Sequence, residues 1–477
     1  MNTVSWLSVL PPLLTIAVVI WSKKVLPSLL LGLLVGSYLL NPSIVGGTQT
    51  AIENIIKTLS DRDNLQVLVF LYLFSGFIAL IKKSGGIKAF SDWITAYIHS
   101  ERGVFYMLWA LIPVTFLDCD FRIYGTGSIV RSLGEKNNVS KERLAFMINN
   151  TASPIVELIP IATTFVGFNI ANIGQALKVA GVAEKHSAYS TLLHAIPFEF
   201  FSSVVLLVTF LSIYFQWKKP SVERQEQHMH HPSAGSMTMD MGDVKPEIQP
   251  RILNLVFPMI VVVFLSFFFY WYFGRAGWDG TISSIISATD PNMAMLVALC
   301  ISIFLSGLLY FFQKYPLDTM TADLIAGGND LMRLLAILIV AWALGDVTQE
   351  LGLSTFIQQQ LGNSLPMWSI PVSLFLVSSA VTYFIGEGWA TASIMMPFAV
   401  SLAVTSGIGI PLCVAAVITG GTFGDTTSPI AGMANMSSNV FDADHMKYIR
   451  YASPYNFVSA GIAAGLFLIA GFLYTMQ

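Results

Sequence analysis

The chain has 477 residues, 54% hydrophobic and only 11% charged, with a formal net charge of −3. A soluble domain carries about 25% charged residues, so a soluble globular fold is excluded and an all-α polytopic membrane protein is expected. The three cysteines (Cys119, Cys300, Cys413) are scattered through apolar stretches and offer no disulfide framework or zinc spacing.

Crossing a bilayer takes roughly 20 apolar residues. Runs of that kind predict full spans near 4–22, 25–41, 64–82, 143–170 and 190–216, then near 252–273, 290–312, 331–350, 411–440 and 450–475. The first run lacks a charged leader and a small-residue cleavage site, so it reads as a span rather than a removed signal. Stretches 103–134 and 369–404 are too long for one span and have polar middles, Leu117-Asp-Cys-Asp-Phe-Arg-Ile-Tyr-Gly-Thr-Gly127 and Tyr383-Phe-Ile-Gly-Glu-Gly-Trp-Ala-Thr-Ala-Ser393. Irregular backbone at membrane depth must be satisfied by protein or a wet cavity. Both stretches are therefore expected to be re-entrant hairpins with Asp118, Asp120 and Glu387 at their tips. A simple crossing is the competing reading of each.

Two of the predicted spans carry the same polar interruption. Asn149-Asn150-Thr151-Ala152-Ser153-Pro154-Ile155 returns as Gly424-Asp425-Thr426-Thr427-Ser428-Pro429-Ile430. Proline lacks a backbone donor and disfavours helix at the residue before it, so both helices are expected to break there. Each half then reads as two plain spans, a third ending in a glycine turn (Gly85-Gly86; Gly352), a hairpin, a broken span and a last span opening with Pro197 or Pro454. Five crossings per half is odd, which implies two inverted repeats, 1–216 and 251–477; interrupted helices at matching places in such halves mark transporter binding sites.

With the N-terminus outside, the inner loops hold 18 Lys and Arg, and the outer loops hold five (Lys57, Arg62, Lys178, Lys185, Arg275). Arg122 and Arg333 fall inside membrane segments and are left aside. The bias fits the positive-inside rule and puts both termini outside an inner membrane. The joining segment 217–250 bears His228, His230, His231, Met237, Met239 and Met241. It reads as a cytoplasmic linker unable to build a core, with copper or zinc binding as the alternative.

Acidic residues inside a membrane are costly and are functional candidates by default. Asp118, Asp120, Glu157, Glu199, Asp346, Glu387 and Asp425 qualify, and Arg122 is the one cation deep in a polar tip. Around Asp425, the hydroxyls of Thr426, Thr427 and Ser428 and the carbonyls of an unwound turn would surround a small hard cation with oxygens. Proton binding to the same carboxylate would compete with the cation, the minimal chemistry of an antiporter. Glu157 follows Asn150 by seven residues, on the same helix face. Arg122 is either a substrate ligand or a structural partner of Asp118 or Asp120. Glu199 and Asp346 read as capping or vestibule residues, and His445 as an interfacial one. No catalytic dyad and no phosphate-binding glycine loop with its lysine stands out, so neither an intramembrane enzyme nor an ATP-driven pump is expected.

Three segments resemble the NhaC-type sodium/proton antiporter family: Asp118-Cys-Asp-Phe with Val139-Ser-Lys-Glu-Arg-Leu-Ala145, Gly386-Glu-Gly-Trp389-Ala-Thr391 with Pro397, and Gly420-Gly-Thr-Phe-Gly-Asp425-Thr-Thr-Ser-Pro429 with Asp444-His445. The resemblance covers roughly 60–460. It implies a gradient-driven transporter with two hairpins and two broken helices around a central site, moving by an elevator-like shift of one domain. The resemblance also implies that Asn150 replaces a usual aspartate, Phe165 a tryptophan and Arg122 an uncharged polar residue. Fewer negative charges would favour a carboxylate, which Arg holds bidentately. Two functions stay open: sodium/proton antiport, and sodium- or proton-coupled transport of a small organic acid or amino acid. Candidate ligands are Asp118, Asp120, Arg122, Thr126, Asn150, Thr151, Ser153, Glu157, Glu387, Trp389, Thr391, Asp425, Thr426, Thr427 and Ser428, with Asp425, Thr426 and Ser428 for sodium. No resident cofactor is expected beyond the transported sodium ion and proton. The expected partners are membrane lipid, the cation or carboxylate, and in a homodimer a second copy, but no nucleic acid.

Overall fold

A computed structural model describes residues 6–95, 98, 100–137, 139–161, 163–215, 249–277, 289–356, 359 and 366–476. The His- and Met-bearing linker, apart from residues 249 and 250, lies outside them. Every regular element among the described residues is helical.

The chain begins with two short apolar helices, α1 (Leu10–Ser22) and α2 (Val25–Leu40), parted at Lys23, whose φ is 56°. At 13 and 16 residues they stop short of full crossings. The paired lysines end the first, and Asn41 in an extended conformation ends the second. Next comes an unforeseen helix, α3 (Ile44–Ser60), capped by Ser43 Oγ, which accepts from the Gly46 amide at 3.0 Å. Gly47, Ala51, Asn54 and Thr58 are its buried stripe, the spacing of an amphipathic helix, and it packs on α2. The sequence hid it because its buried residues are small or polar, its large apolar residues (Ile44, Val45, Ile52, Ile56, Leu59) face outward, and its length suits a loop.

α4 (Arg62–Lys83) is a long apolar helix closed by Gly85 at φ 76°. A short α5 (Gly86–Thr95) leads to α6 (Glu101–Ala110), α7 (Ile112–Thr115) and α8 (Cys119–Lys136), which fold as a helical hairpin with its turn at 116–118. α9 (Lys141–Leu158) and α10 (Thr164–Val179) follow, then α11 (Ala188–Ala195) and α12 (Phe200–Tyr214), which meet at a 43° bend near Pro197. Beyond the linker come α13 (Leu253–Gly274), α14 (Pro291–Phe312), α15 (Leu317–Asp330), α16 (Met332–Glu350) and the single turn α17 (Leu353–Phe356). The second hairpin is α18 (Ile370–Ile385) and α19 (Gly388–Ser406), turning at Gly386 with φ 78°. The chain closes with α20 (Ile410–Thr427), α21 (Gly432–Val440) and α22 (His445–Thr475).

Seven of the described helices are long and apolar enough to cross a membrane, eight if the bent pair α11–α12 counts as one. This is a multi-pass membrane protein. Both arms of the second hairpin pass that test; those of the first do not, because α6 and α7 are only 10 and 4 residues long and α8 carries Asp120, Arg122, Arg131, Glu135 and Lys136.

The two heptapeptides behave differently, which corrects the expectation of matching breaks. α20 ends at Thr427, and Ser428 is extended (φ −69°, ψ 132°), as the residue before a proline prefers. In the first copy the helix runs straight through: Pro154 lies inside α9, which ends only at Leu158, and α10 begins at Thr164. Proline is tolerated in a membrane helix when neighbours satisfy the backbone it disturbs. Pro154 leaves the Asn150 carbonyl without its helical donor, and at the adjacent residue Arg122 Nε donates to the Thr151 carbonyl at 2.7 Å. α9 and α20 are the innermost elements: Glu142–Glu157 and Leu412–Thr427 are buried throughout.

Candidate functional site

The first turn of α10, the hairpin turns and the end of α20 converge. Asp118 caps α8, its Oδ1 accepting from the Asp120 and Phe121 amides at 3.0 and 3.1 Å, while Oδ2 accepts from Thr164 Oγ1 at 2.8 Å. The tip of hairpin one is thereby tied to the start of α10. The tip of hairpin two reaches the same turn through Trp389, whose ring lies 5.1 Å from Phe165 and 4.4 Å from Phe168. Thr391 Oγ1 donates back to the Glu387 carbonyl at 3.4 Å. Glu387 itself pairs with Arg333 at 3.3 Å, and Asp120 is exposed.

Asp425 is buried and joins the second hairpin to the break in α20. Its Oδ1 accepts from the Gly388 amide at 2.8 Å, at the N-terminus of α19, where a carboxylate is favoured by the helix dipole. A Cβ on Gly388 would overlap the Asp425 carboxylate, whereas Gly432 has open space around it. Gly388→Ala is therefore expected to cost about 1–3 kcal/mol through overpacking, read as a lowered Tm in detergent. Gly432→Ala serves as the unaffected control, and equal melting of the two variants would refute the contact.

The residues after Asp425 are held without exhausting their oxygens. Thr426 Oγ1 donates to the Thr422 carbonyl at 2.9 Å, and Ser428 Oγ to the Tyr383 carbonyl at 2.6 Å; Thr427 Oγ1 lies 3.4 Å from Thr426 Oγ1. A hydroxyl that gives its proton to a carbonyl keeps lone pairs for a cation. The Thr426 carbonyl accepts from the amides of Asn149 at 3.2 Å and Asn456 at 2.9 Å. His445 Nε2 lies 2.7 Å from the Pro429 carbonyl, bracing the loop beyond.

The first heptapeptide lies on α9 opposite α12 and α22. Asn150 Nδ2 donates to Asn456 Oδ1 at 2.7 Å and Thr209 Oγ1 at 3.3 Å, leaving Asn150 Oδ1 and the nearby Ser153 Oγ buried without partners. Two turns along, Glu157 accepts from Thr422 Oγ1 at 2.6 Å and from Ser202 Oγ. So Glu157 touches the same helix as Asp425, one turn before it. Asp346 is remote from all of these and accepts from Gln175 Nε2 at 2.6 Å.

Arg122 is wholly buried within hairpin one. Besides Thr151 O, it bonds Thr115 Oγ1 at 2.9 Å through Nη1, and Leu108 O at 3.2 Å and Thr151 Oγ1 at 2.9 Å through Nη2. Among the described residues no carboxylate lies within ion-pair distance of it, so the expected pairing with Asp118 or Asp120 is absent. Thr126 Oγ1, 3.3 Å from Thr115 Oγ1, belongs to the same internal network. Glu199, read from the sequence as a capping or vestibule residue, is fully buried with both carboxyl oxygens unpartnered. The signal for it was its place two residues after Pro197, where a helix bends.

A family model described as the Na+/H+ antiporter family matches residues 158–472. The chain belongs to the Na+/H+ antiporter family. The matched region takes in both interruptions, the bend at Glu199 and the whole of hairpin two. The resemblance seen in the NhaC-type segments is thereby placed in its family. This family member is 24% identical over 480 residues to an uncharacterised protein of Haemophilus influenzae, covering 98% of this chain and 91% of that one. Its fold is similar to that of Neisseria gonorrhoeae MtrF, described as illuminating a class of antimetabolite efflux pumps, with a TM-score of 0.60, 14% identity and coverage of 91% and 85%. A second similar fold is the Alcanivorax borkumensis YdaH transporter, with a TM-score of 0.54, 14% identity and coverage of 86% and 89%.

Proposed function

We propose that this chain is a secondary transporter of the NhaC type, exchanging sodium for protons by alternating access, with Asp425 as the shared cation and proton ligand. The observation that carries this reading is the junction at Asp425. A buried carboxylate sits where a helix is interrupted, beside three hydroxyl oxygens and against the backbone of a hairpin turn. Sodium needs a cluster of oxygens that can be uncovered to one side or the other.

The same element order in both halves supports an inverted repeat: α4 and α16, the two hairpins, α9–α10 and α20–α21, then α11–α12 and α22. In that reading the hairpins and interrupted helices move, elevator-like, against the remainder. The ion pairs fit the grouping of loops onto two sides, and the Lys and Arg bias is what favours both termini outside. Glu101–Arg143, Arg131–Asp442 and Lys83–Asp323 join residues assigned inside, while Lys57–Glu350 and Lys178–Asp61 join residues assigned outside.

The experiment is a flux assay in proteoliposomes with an entrapped pH dye. An imposed sodium gradient is expected to drive protons in the opposite direction, with lithium as a weaker substitute. Vesicles that ignore sodium and lithium, yet move protons when a small carboxylate or amino acid is added, would instead establish the organic-solute reading.

A further inference from the structure

Two buried glutamates meet beside the α11–α12 bend, and they are treated in opposite ways. Glu157 on α9 receives two hydroxyl donors, Thr422 Oγ1 at 2.6 Å and Ser202 Oγ from the third residue of α12. Hydroxyls that donate to a carboxyl favour its charged form. Glu199, in the bend itself, has no hydrogen-bond partner on either oxygen and no exposure. Its sequence neighbours are aromatic and wall it in: Phe200 packs on Phe467 at 4.8 Å, and Phe201 on Phe423 at 5.5 Å.

A carboxylate buried without a donor or a cation costs several kcal/mol, and two adjacent carboxylates cannot both stay charged. The titratable groups on the packed elements are Lys141, Glu142, Arg143 and Glu157 on α9, Cys413 and Asp425 on α20, Tyr189 and His194 on α11, and His445, Lys447, Tyr448, Arg450, Tyr451, Tyr455 and Tyr474 on α22. Of these, Glu157 is the one whose charge acts on Glu199. His194 is exposed, with Nδ1 2.7 Å from its own helix carbonyl at Ser190. A second observation marks the same place. Ser153 Oγ and Asn150 Oδ1, four and seven residues before Glu157 on its face of α9, are also buried and unpartnered. They line a polar seam in otherwise apolar packing.

We propose that Glu199 is a second proton-carrying residue of the transport cycle, alongside Asp425, and is neutral in this conformation. Its O–H bond breaks when the bend at Pro197 opens to water, the proton leaving to solvent, and the carboxylate is reprotonated from the opposite side. The ion exchanged for that proton rests on the antiport reading above.

Infrared difference spectra of the full chain in lipid test the protonation state directly. Wild type is expected to show a deuterium-sensitive C=O band of a buried carboxylic acid, absent in Glu199→Gln. The glutamine is close in shape to the neutral acid, so a near-native Tm is expected. In sodium-gradient vesicles Glu199→Gln is expected to move protons at least about tenfold more slowly than wild type, and Glu199→Asp to keep a shifted band and partial coupling. A band that persists in Glu199→Gln, or undiminished proton movement by it, overturns the proposal. Wild-type vesicles without sodium-driven proton flux would remove the antiport reading, while the infrared band would still decide Glu199.

Discussion

Replacing Asp425 by Asn is expected to abolish sodium-driven proton movement while leaving the fold in place. The amide is nearly the same shape as the carboxylate, and its oxygen can still accept from the Gly388 amide, which now lies 2.8 Å from Oδ1. What disappears is the charge. Thr426, Thr427 and Ser428 offer neutral oxygens, which solvate sodium about as well as water does, so the carboxylate supplies the advantage over bulk. Losing a charged contact of this kind is worth about 2 kcal/mol, or roughly thirtyfold in sodium affinity. Turnover should fall further, to the level of empty vesicles, because no carboxylate remains there to exchange cation for proton. Thermal melting with and without sodium measures the first effect and the entrapped pH dye the second. Wild-type flux in this variant would remove Asp425 from the mechanism.

The second half of this site was readable from its residues because local chemistry decides it. Pro429 forces an extended Ser428, Gly386 takes the left-handed turn, and Asp425 lies among small residues that let hairpin two approach. Each of these acts within a few residues of itself. The first half depends on partners distant in sequence. Nothing around Pro154 says that Arg122, 32 positions earlier, would hold the Thr151 carbonyl and keep α9 helical. Glu199 likewise reads as a capping or vestibule residue until the packing around the bend buries it completely. The amphipathic α3 was missed for another reason. Its buried stripe is Gly, Ala, Asn and Thr, and its large apolar residues face outward, so the side that packs is not the one an apolar pattern points to.

Arg122→Gln is expected to destabilise the protein by about 1–3 kcal/mol, the cost of leaving buried hydrogen-bond acceptors unmet, without changing the apparent affinity for any transported solute. The guanidinium spends its donors on Leu108 O from α6, Thr115 Oγ1 from α7, and both the carbonyl and hydroxyl of Thr151 on α9. Removing it strands those acceptors in a dry interior and loosens hairpin one from the helix that Pro154 has weakened. Lysine keeps the charge but not the planar fork, so Arg122→Lys should recover only part of the loss. Melting curves and the KM for uptake separate the two roles of this residue. A variant of native stability with a raised KM for a carboxylate would make Arg122 a substrate ligand. The opposite pattern fits the geometry: the positive charge that makes this chain look suited to an anion is consumed in mending a helix. In the proposed mechanism the choice of cargo then falls to the buried carboxyl groups of Asp425, Glu157 and Glu199.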